Sequence, residues 1–105
     1  MVAYVIATMS IHDAETYKKY TALTPATVKR HGGRFLTRGE EVITAEGERF
    51  TDRMVILEFP SVAAAQAWHA DPDYDAASKF RRAASKGRMI IQEAGSNTAD
   101  PDPKV

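Results

Sequence analysis

The hydrophobic pattern predicts two central strands, each apolar on both of its alternating faces. Met54–Phe59 is apolar throughout except at Glu58, and Val2–Met9 is apolar except at Thr8. A strand that faces water on one side alternates apolar and polar residues, whereas a strand covered above and below does not. We therefore expect both strands to be covered on two sides.

Helical spacing predicts a helix that follows the first strand. Asp13 offers an N-cap, and aromatic and aliphatic residues then recur on one helical face at Tyr17, Tyr20 and Val28. Pro25 lacks a backbone N–H, so we expect the helix to break there and to resume as far as about Arg30. Gly32-Gly33 then ends it, because glycine enters the left-handed conformation without strain.

The middle of the chain predicts an edge strand and a hairpin. We expect a strand at Arg34–Arg38, an irregular stretch at Gly39–Glu41, a continuation at Val42–Ala45 and a turn around Glu46–Glu48. The strand Met54–Phe59 then pairs back as the second arm of the hairpin.

The last part of the chain predicts two helical runs and a strand. Ser61 caps a helix that reaches Trp68 and is interrupted at Asp71–Asp73. A further helix runs over Tyr74–Ser85, Gly87 ends it, and a strand follows at Arg88–Glu93. Residues 1–95 form the predicted single domain, and residues 96–105 are too polar and proline-rich to pack, which predicts a disordered tail.

This order of elements predicts an α+β fold, the ferredoxin-like βαββαβ sandwich, with helices on one face of a four-stranded antiparallel sheet. The other face then lies bare, although both central strands are apolar on both sides. A bare apolar sheet needs a cover, and the simplest one is a second copy of the chain. We therefore predict a homodimer with its two sheets facing each other.

Composition excludes several classes of partner. The 105 residues carry 14 basic and 14 acidic side chains, so no net charge attracts nucleic acid or an anionic membrane. The chain has no cysteine, which excludes disulfides and thiolate sites and suits a cytoplasmic protein. Histidines at metal-ligand spacing and glycine-rich phosphate loops are absent from the sequence, so we expect neither a metal nor a cofactor.

Short motifs spread over most of the chain resemble a known family. They are Ala3-Tyr4-Val5-Ile6, Tyr17 and Tyr20 before Pro25, Gly32-Gly33-Arg34-Phe35-Leu36 with Arg38-Gly39, Leu57-Glu58-Phe59-Pro60-Ser61, Ala67-Trp68, and Tyr74 with Arg81. Together they resemble the domain-of-unknown-function 1330 family of the dimeric α/β-barrel superfamily. The resemblance implies a ferredoxin-like subunit, dimerisation into a barrel, and a ligand pocket between sheet and helices. It implies no particular reaction.

Three polar residues are candidate catalytic groups. Glu58 on a covered strand is either a general acid or base with a raised pKa or a strand-end acid paired with an arginine. Arg38 and Arg34 alternate along one strand, so we expect them to share a face, where Arg38 grips a carboxylate or both are merely solvated or paired with Glu58. His31 follows the first helix, where it either caps the C-terminus or serves in the site.

Aromatic residues and one further arginine are candidate ligand-binding groups. Tyr74, Ser78 and Arg81 form a polar stripe that lines a cleft mouth or simply borders the core. Tyr17, Tyr20 and Trp68 are candidates for the pocket wall, with core packing as the alternative.

Two functions remain open from the sequence. The first is a small-molecule binding protein, or a cofactor-independent enzyme that acts by acid–base chemistry on a small organic acid or carbonyl compound. The alternative is a non-catalytic dimeric accessory module whose polar residues only complete the fold. Haem binding, which the superfamily resemblance brings in, is a third hypothesis.

Overall fold

The computed structural model of the protein describes residues 1–95 and 97–99, so most of the predicted tail, 96–105, lies outside the described residues. Its seven elements are β1 Ala3–Ile11, α1 Ala14–Arg30, β2 Arg34–Arg38, β3 Arg53–Phe59, α2 Val62–Ala70, α3 Pro72–Ala84 and β4 Ser85–Glu93. Within the described residues, no helix is both long enough and apolar enough to cross a membrane.

The four strands form one antiparallel sheet in the order β2-β3-β1-β4. β1 and β3 are therefore the two central strands, as the hydrophobic pattern predicted. The predicted α+β arrangement with helices on one face is confirmed, and the second crossover contains two helices, α2 and α3. Ser61 caps α2 through a bond from the Ala64 amide, also as predicted.

The helix α1 is continuous through Pro25, so the predicted break is wrong. Proline at this position leaves the carbonyl of Thr21 without its usual helical donor. The Arg38 Nη2 atom of β2 donates to that carbonyl at 3.0 Å and replaces the missing bond. An arginine from the neighbouring strand thus lets the helix continue to Arg30.

The connection between β2 and β3 also departs from the prediction. Val42–Ala45 forms no strand, and the chain is irregular from Gly39 to Asp52. A bulge lies instead within β2, where the register with β3 shifts between Phe35 and Thr37. Because one extra residue reverses the faces beyond it, the bulge decides where Arg38 points.

Gly87 does not end the last helix. α3 stops at Ala84, whose carbonyl accepts bonds from the backbone amides of His12 and Asp13 at 2.9 and 3.2 Å. Gly87 lies inside β4, where a Cβ would collide with the carbonyl oxygen of Thr8 on β1. The glycine is therefore needed for close strand contact and not for a helix stop.

The two faces of the sheet differ in burial. On the helix face Val5, Leu57 and Phe59 are at most 3% exposed, and they pack with the buried aromatic residues of the helices. On the open face Ile6 pairs across the strands with Ile56 and Ile90, which forms a row of isoleucines. The apolar residues of the helix face form the core, and the row on the open face lies partly or largely exposed.

Candidate functional site

A small cavity lies between α1 and the helix face of the sheet, with a wider cleft outside it. The cavity has a volume of about 20 Å³, which is room for about one water molecule. The cleft has a volume of about 340 Å³. The residues that line both spaces are Tyr17, Thr21, Arg38 and Arg53. These four side chains form the boundary between the inner cavity and the surface.

The apolar walls of the cavity come from three strands. β1 and β3 contribute core residues, and β2 contributes an aromatic ring; the residues are Ala7, Met9, Val55, Leu57 and Phe35. α1 closes the remaining side with Tyr17, Tyr20, Thr21 and Thr24. The interior is thus apolar, and its polar groups are hydroxyls and guanidiniums.

Arg38 reaches the cavity because of the β2 bulge. It pairs with Val55 of the helix face, whereas Arg34 pairs with Glu58 of the open face. The prediction that the two arginines share a face is therefore wrong. The Arg38 guanidinium lies 4.6 Å from the centre of the Phe35 ring and donates to the Thr21 carbonyl. Both contacts hold it at the cavity mouth.

Arg53 is a functional candidate that the sequence reasoning missed. Its guanidinium lies 5.6 Å from the centre of the Tyr17 ring, and its Nε atom is buried without a hydrogen-bond partner. Gly39, with a φ of +84°, makes room for it, since a Cβ there would collide with the guanidinium. The sequence did contain a signal for Arg53. It alternates with Val55 and Leu57, which places its cationic side chain on the core-facing side of the strand.

Three buried tyrosines lie along α1 and α3. The hydroxyl of Tyr20 is 2.9 Å from that of Tyr74, and the hydroxyl of Tyr17 donates to the Met9 sulfur at 3.5 Å. Burial raises the pKa of Tyr20 above its usual 10.0, and the neighbouring Tyr74 hydroxyl raises it further. Burial also raises the pKa of Tyr17, while the charge of Arg53 opposes the shift. Both phenols are therefore neutral donors at neutral pH.

Arg81 and Trp68 contact the buried tyrosines but do not line the cavity. Arg81 lies 5.7 Å from the centre of the Tyr20 ring, with its Nε buried and unpartnered, but it does not line the cavity. Trp68 is fully buried, donates from Nε1 to the Thr27 hydroxyl at 3.1 Å and packs 4.1 Å from the Tyr74 ring. Trp68 and Tyr74 thus lie in the core behind the cavity wall.

Glu58 lies on the opposite side of the sheet from this cavity. Its Oε1 accepts from the Nε of Arg34 at 3.2 Å, and its side chain is 22% exposed. The structural alternative, an acid paired with Arg34, is what the structure contains. Glu58 and Arg38 therefore do not come together.

His31 belongs to a separate cluster at the end of α1. It is the C-cap of that helix, and its Nε2 lies 2.7 Å from the Asp71 carboxylate, which also accepts from Arg30 at 2.9 Å. The bond to His31, a backbone bond from Asp73 and the Arg30 contact lower the pKa of Asp71 to about 2. Neither His31 nor Asp71 lines the cavity.

Metal ligation finds no support in the part of the chain that the structure describes. No three histidine or carboxylate side chains converge there in a way that could hold a metal ion. What the site offers a ligand is a set of phenol, hydroxyl and guanidinium donors around an apolar space.

Solved structures with this fold come from several bacteria. A protein of unknown function from Rhodopseudomonas palustris is 26% identical, with a TM-score of 0.73 over 87% of this chain and 80% of that one. SnoaB, a cofactor-independent oxygenase from Streptomyces nogalater, is 18% identical, with a TM-score of 0.61 over 94% and 98%. A dimeric protein of unknown function and ferredoxin-like fold from Bacteroides fragilis is 14% identical, with a TM-score of 0.52 over 88% and 95%.

These similarities establish the ferredoxin-like fold, and no curated protein matches the chain. The family resemblance read from the sequence motifs is confirmed independently. A family model described as domain of unknown function (DUF1330) matches residues 2–94, and the chain belongs to that family.

Proposed function

We propose that the protein binds a small organic molecule in the cleft and cavity between α1 and the sheet. The observation that carries this proposal is an apolar space whose mouth is formed by Tyr17, Arg38 and Arg53. Small-molecule sites are typically concave and mostly apolar, with a few polar groups that fix orientation, and volumes of about 300–1,000 Å³. The outer cleft, at about 340 Å³, falls within that range.

The chemistry that these residues favour is proton donation and stabilisation of negative charge. Tyr17 and Tyr20 are neutral phenols, and two guanidiniums lie beside them. The described lining contains neither a carboxylate nor an imidazole that could act as a base, because Glu58 and His31 lie elsewhere. We therefore propose ligand binding as the main function of the site. For catalysis, the reaction class that we propose is acid–base chemistry on a small organic acid or carbonyl compound.

The shared fold gives this reaction class some support by analogy. SnoaB is described as a cofactor-independent oxygenase, and it has the same arrangement of sheet and helices at 18% identity. Because one fold hosts many activities, the analogy supports chemistry without a cofactor as a class and no specific substrate.

Native mass spectrometry of the purified protein tests the binding proposal. We expect a co-purified small molecule on the natural chain and its loss in Ala14→Trp, which fills the outer cleft. Ala22→Trp, at an exposed position on the same helix that lines neither space, is the matched control and should keep the molecule. A ligand-free mass for all three proteins, with no response of the Val55 and Leu57 methyl resonances to any small organic probe, would contradict the proposal.

We also infer that two copies associate through the open face of the sheet. The isoleucine row of that face is the supporting observation, with Ile90 48% exposed on the single chain. The Bacteroides fragilis protein with this fold is described as dimeric. Light scattering at micromolar concentration should return twice the chain mass, and a monomer would contradict the inference. A dimer that binds no small molecule would favour the alternative function, a non-catalytic dimeric module.

A further inference from the structure

The mouth of the cavity carries more positive charge than its surroundings neutralise. Arg38 and Arg53 line both the inner cavity and the outer cleft, and Lys18 adds a third cation to the cleft. Lys18 pairs with Glu15 at 3.2 Å. Among residues 1–95 and 97–99, no carboxylate lies within 4.0 Å of a charged nitrogen of Arg38 or Arg53.

Arg53 is held by packing and not by an acidic partner. Its Nη2 atom makes a long contact of 3.5 Å to the Arg38 carbonyl, its guanidinium also hydrogen-bonds the Tyr17 hydroxyl, and its Nε has no acceptor. The bond from the backbone amide of Arg38 to the Glu40 carboxylate lowers the pKa of Glu40, and the charge of Arg53 makes a smaller contribution in the same direction. A buried charged donor without an acceptor is costly unless a ligand supplies one.

Tyr17 is a second donor at the same place with a poor acceptor. The residue is 5% exposed, and the partner of its hydroxyl is the Met9 thioether, which is a weak acceptor. The site therefore has an excess of donors over acceptors on two side chains that touch each other. A ligand that brings acceptor oxygens and negative charge would satisfy both.

We propose that Arg38 and Arg53 bind the carboxylate of a small organic acid at the mouth of the cavity, with the Tyr17 hydroxyl as a third donor. Guanidinium groups bind carboxylates in bidentate fashion, which fixes orientation as well as charge. The apolar part of the acid lies in the outer cleft against Ile11 and Ala14, because the inner cavity admits only about one water-sized group. This inference rests on the proposed ligand-binding function and narrows it to carboxylates.

Titration of the full chain with benzoate and with its neutral analogue benzamide tests the inference. NMR should show benzoate shifting the Nε–H resonance of Arg53 at millimolar concentration, with benzamide binding at least about tenfold more weakly. Arg53→Gln should weaken benzoate binding by about tenfold to a hundredfold, the usual effect of losing a hydrogen bond to a charged group. Arg82→Gln, an exposed arginine on α3 that lies outside the cleft, should leave it unchanged.

Each alternative result has a definite meaning. Equal binding of benzoate and benzamide, or natural benzoate affinity in Arg53→Gln, would overturn the carboxylate inference while the cavity remained a ligand site. No binding of either probe, with unchanged Ile11 and Ala14 methyl resonances, would overturn this inference and the proposed function together. If Arg53→Gln melts well below the natural protein, Arg53→Lys is used in its place. Its affinity for benzoate should be several-fold lower than that of the natural protein, since lysine lacks the bidentate fork.

Discussion

The two faces of the central sheet are built from the same strands but are covered differently. On the helix face Val5 and Leu57 are at most 3% exposed, and an apolar cavity with Arg38 and Arg53 at its mouth lies between α1 and the sheet. On the open face Ile6 lies between Ile56 and Ile90, and Ile90 is 48% exposed. The helix face thus combines a buried core with the candidate ligand site, whereas the open face carries apolar residues that remain partly or largely exposed.

The position of each polar residue relative to this division decides what it can do. Glu58 pairs with Arg34 on the open face, and Arg38 and Arg53 lie on the helix face. Arg38 is only four residues along β2 from Arg34, which lies opposite Glu58. The sheet nevertheless separates the Arg38 guanidinium from the Glu58 carboxylate. Face assignment matters more here than distance along the sequence.

The largest expected effect is on the helix face, in Trp68→Ala. The indole is fully buried, packs against Phe59 and Tyr74 and donates to Thr27. Its removal leaves a large cavity, so we expect a loss of about 3–5 kcal/mol in the free energy of unfolding, measured by urea denaturation. Leu23→Ala, on the exposed side of α1, is the control and should cost less than about 1 kcal/mol. Similar losses in the two variants would contradict the core assignment.

The second effect is on the open face, in Ile90→Lys. Ile90 is 48% exposed on the single chain, so the substitution should leave the fold of the protomer intact. In a dimer with facing sheets it would bury two like charges, and we expect the dissociation constant to rise by about a hundredfold or more, or ~3 kcal/mol. Analytical ultracentrifugation measures this, with Leu23→Lys as the matched control. An unchanged dissociation constant would exclude the open face as the interface.

The third effect concerns pH and tests Asp71, the acid that His31 and Arg30 contact at the end of α1. The His31 bond, the Asp73 amide and Arg30 lower the pKa of Asp71 from its usual 3.8 to about 2. A lowered folded-state pKa adds stability that is complete above pH 3.8 and is lost as the pH falls through about 2. We expect Asp71→Asn to reduce the slope of unfolding free energy in that interval, while the cap of α3 is retained because asparagine also caps helices.

Acid titration of stability in denaturant measures this slope. Asp73→Asn is the matched control, because Asp73 also contacts Arg30 but its side chain is 68% exposed. We expect it to retain the natural slope between pH 4 and pH 2. A natural slope in Asp71→Asn would assign the acid sensitivity of the protein to another carboxylate.

Hydrophobic periodicity was sufficient to predict that β1 and β3 are the central strands, since both are apolar on both of their faces. It did not predict the bulge at Leu36, because a bulge is set by pairing with β3 and leaves no local signature in Arg34–Arg38. Pro25 was misinterpreted for a related reason: the bond that compensates for it comes from Arg38, 17 residues after the Thr21 carbonyl in the sequence. The candidate site was therefore only partly predictable, with Tyr17, Tyr20 and Arg38 found at the cavity and Arg53 missed.

The smallest expected effect tests that compensating bond directly. Pro25→Ala supplies a backbone N–H for the Thr21 carbonyl, so Arg38 is no longer its only donor. Arg38→Ala should then cost about 1 kcal/mol less in the Pro25→Ala background than in the natural chain, the usual worth of one hydrogen bond. Urea denaturation of the two single variants and the double variant measures this coupling. The loss of the Phe35 contact occurs in both backgrounds and cancels.

Arg34 supplies the control for this double-mutant comparison, because it lies on the same strand as Arg38 but points to the open face. Pro25→Ala and Arg34→Ala share no partner, so their effects should add within about 0.5 kcal/mol. An energetic coupling of Pro25 to Arg38 and not to Arg34 would show that the two arginines point to different faces of the sheet in solution, as the bulge requires. Equal coupling to both, or to neither, would mean that α1 tolerates its proline by another route and that Arg38 is free to leave the cavity mouth.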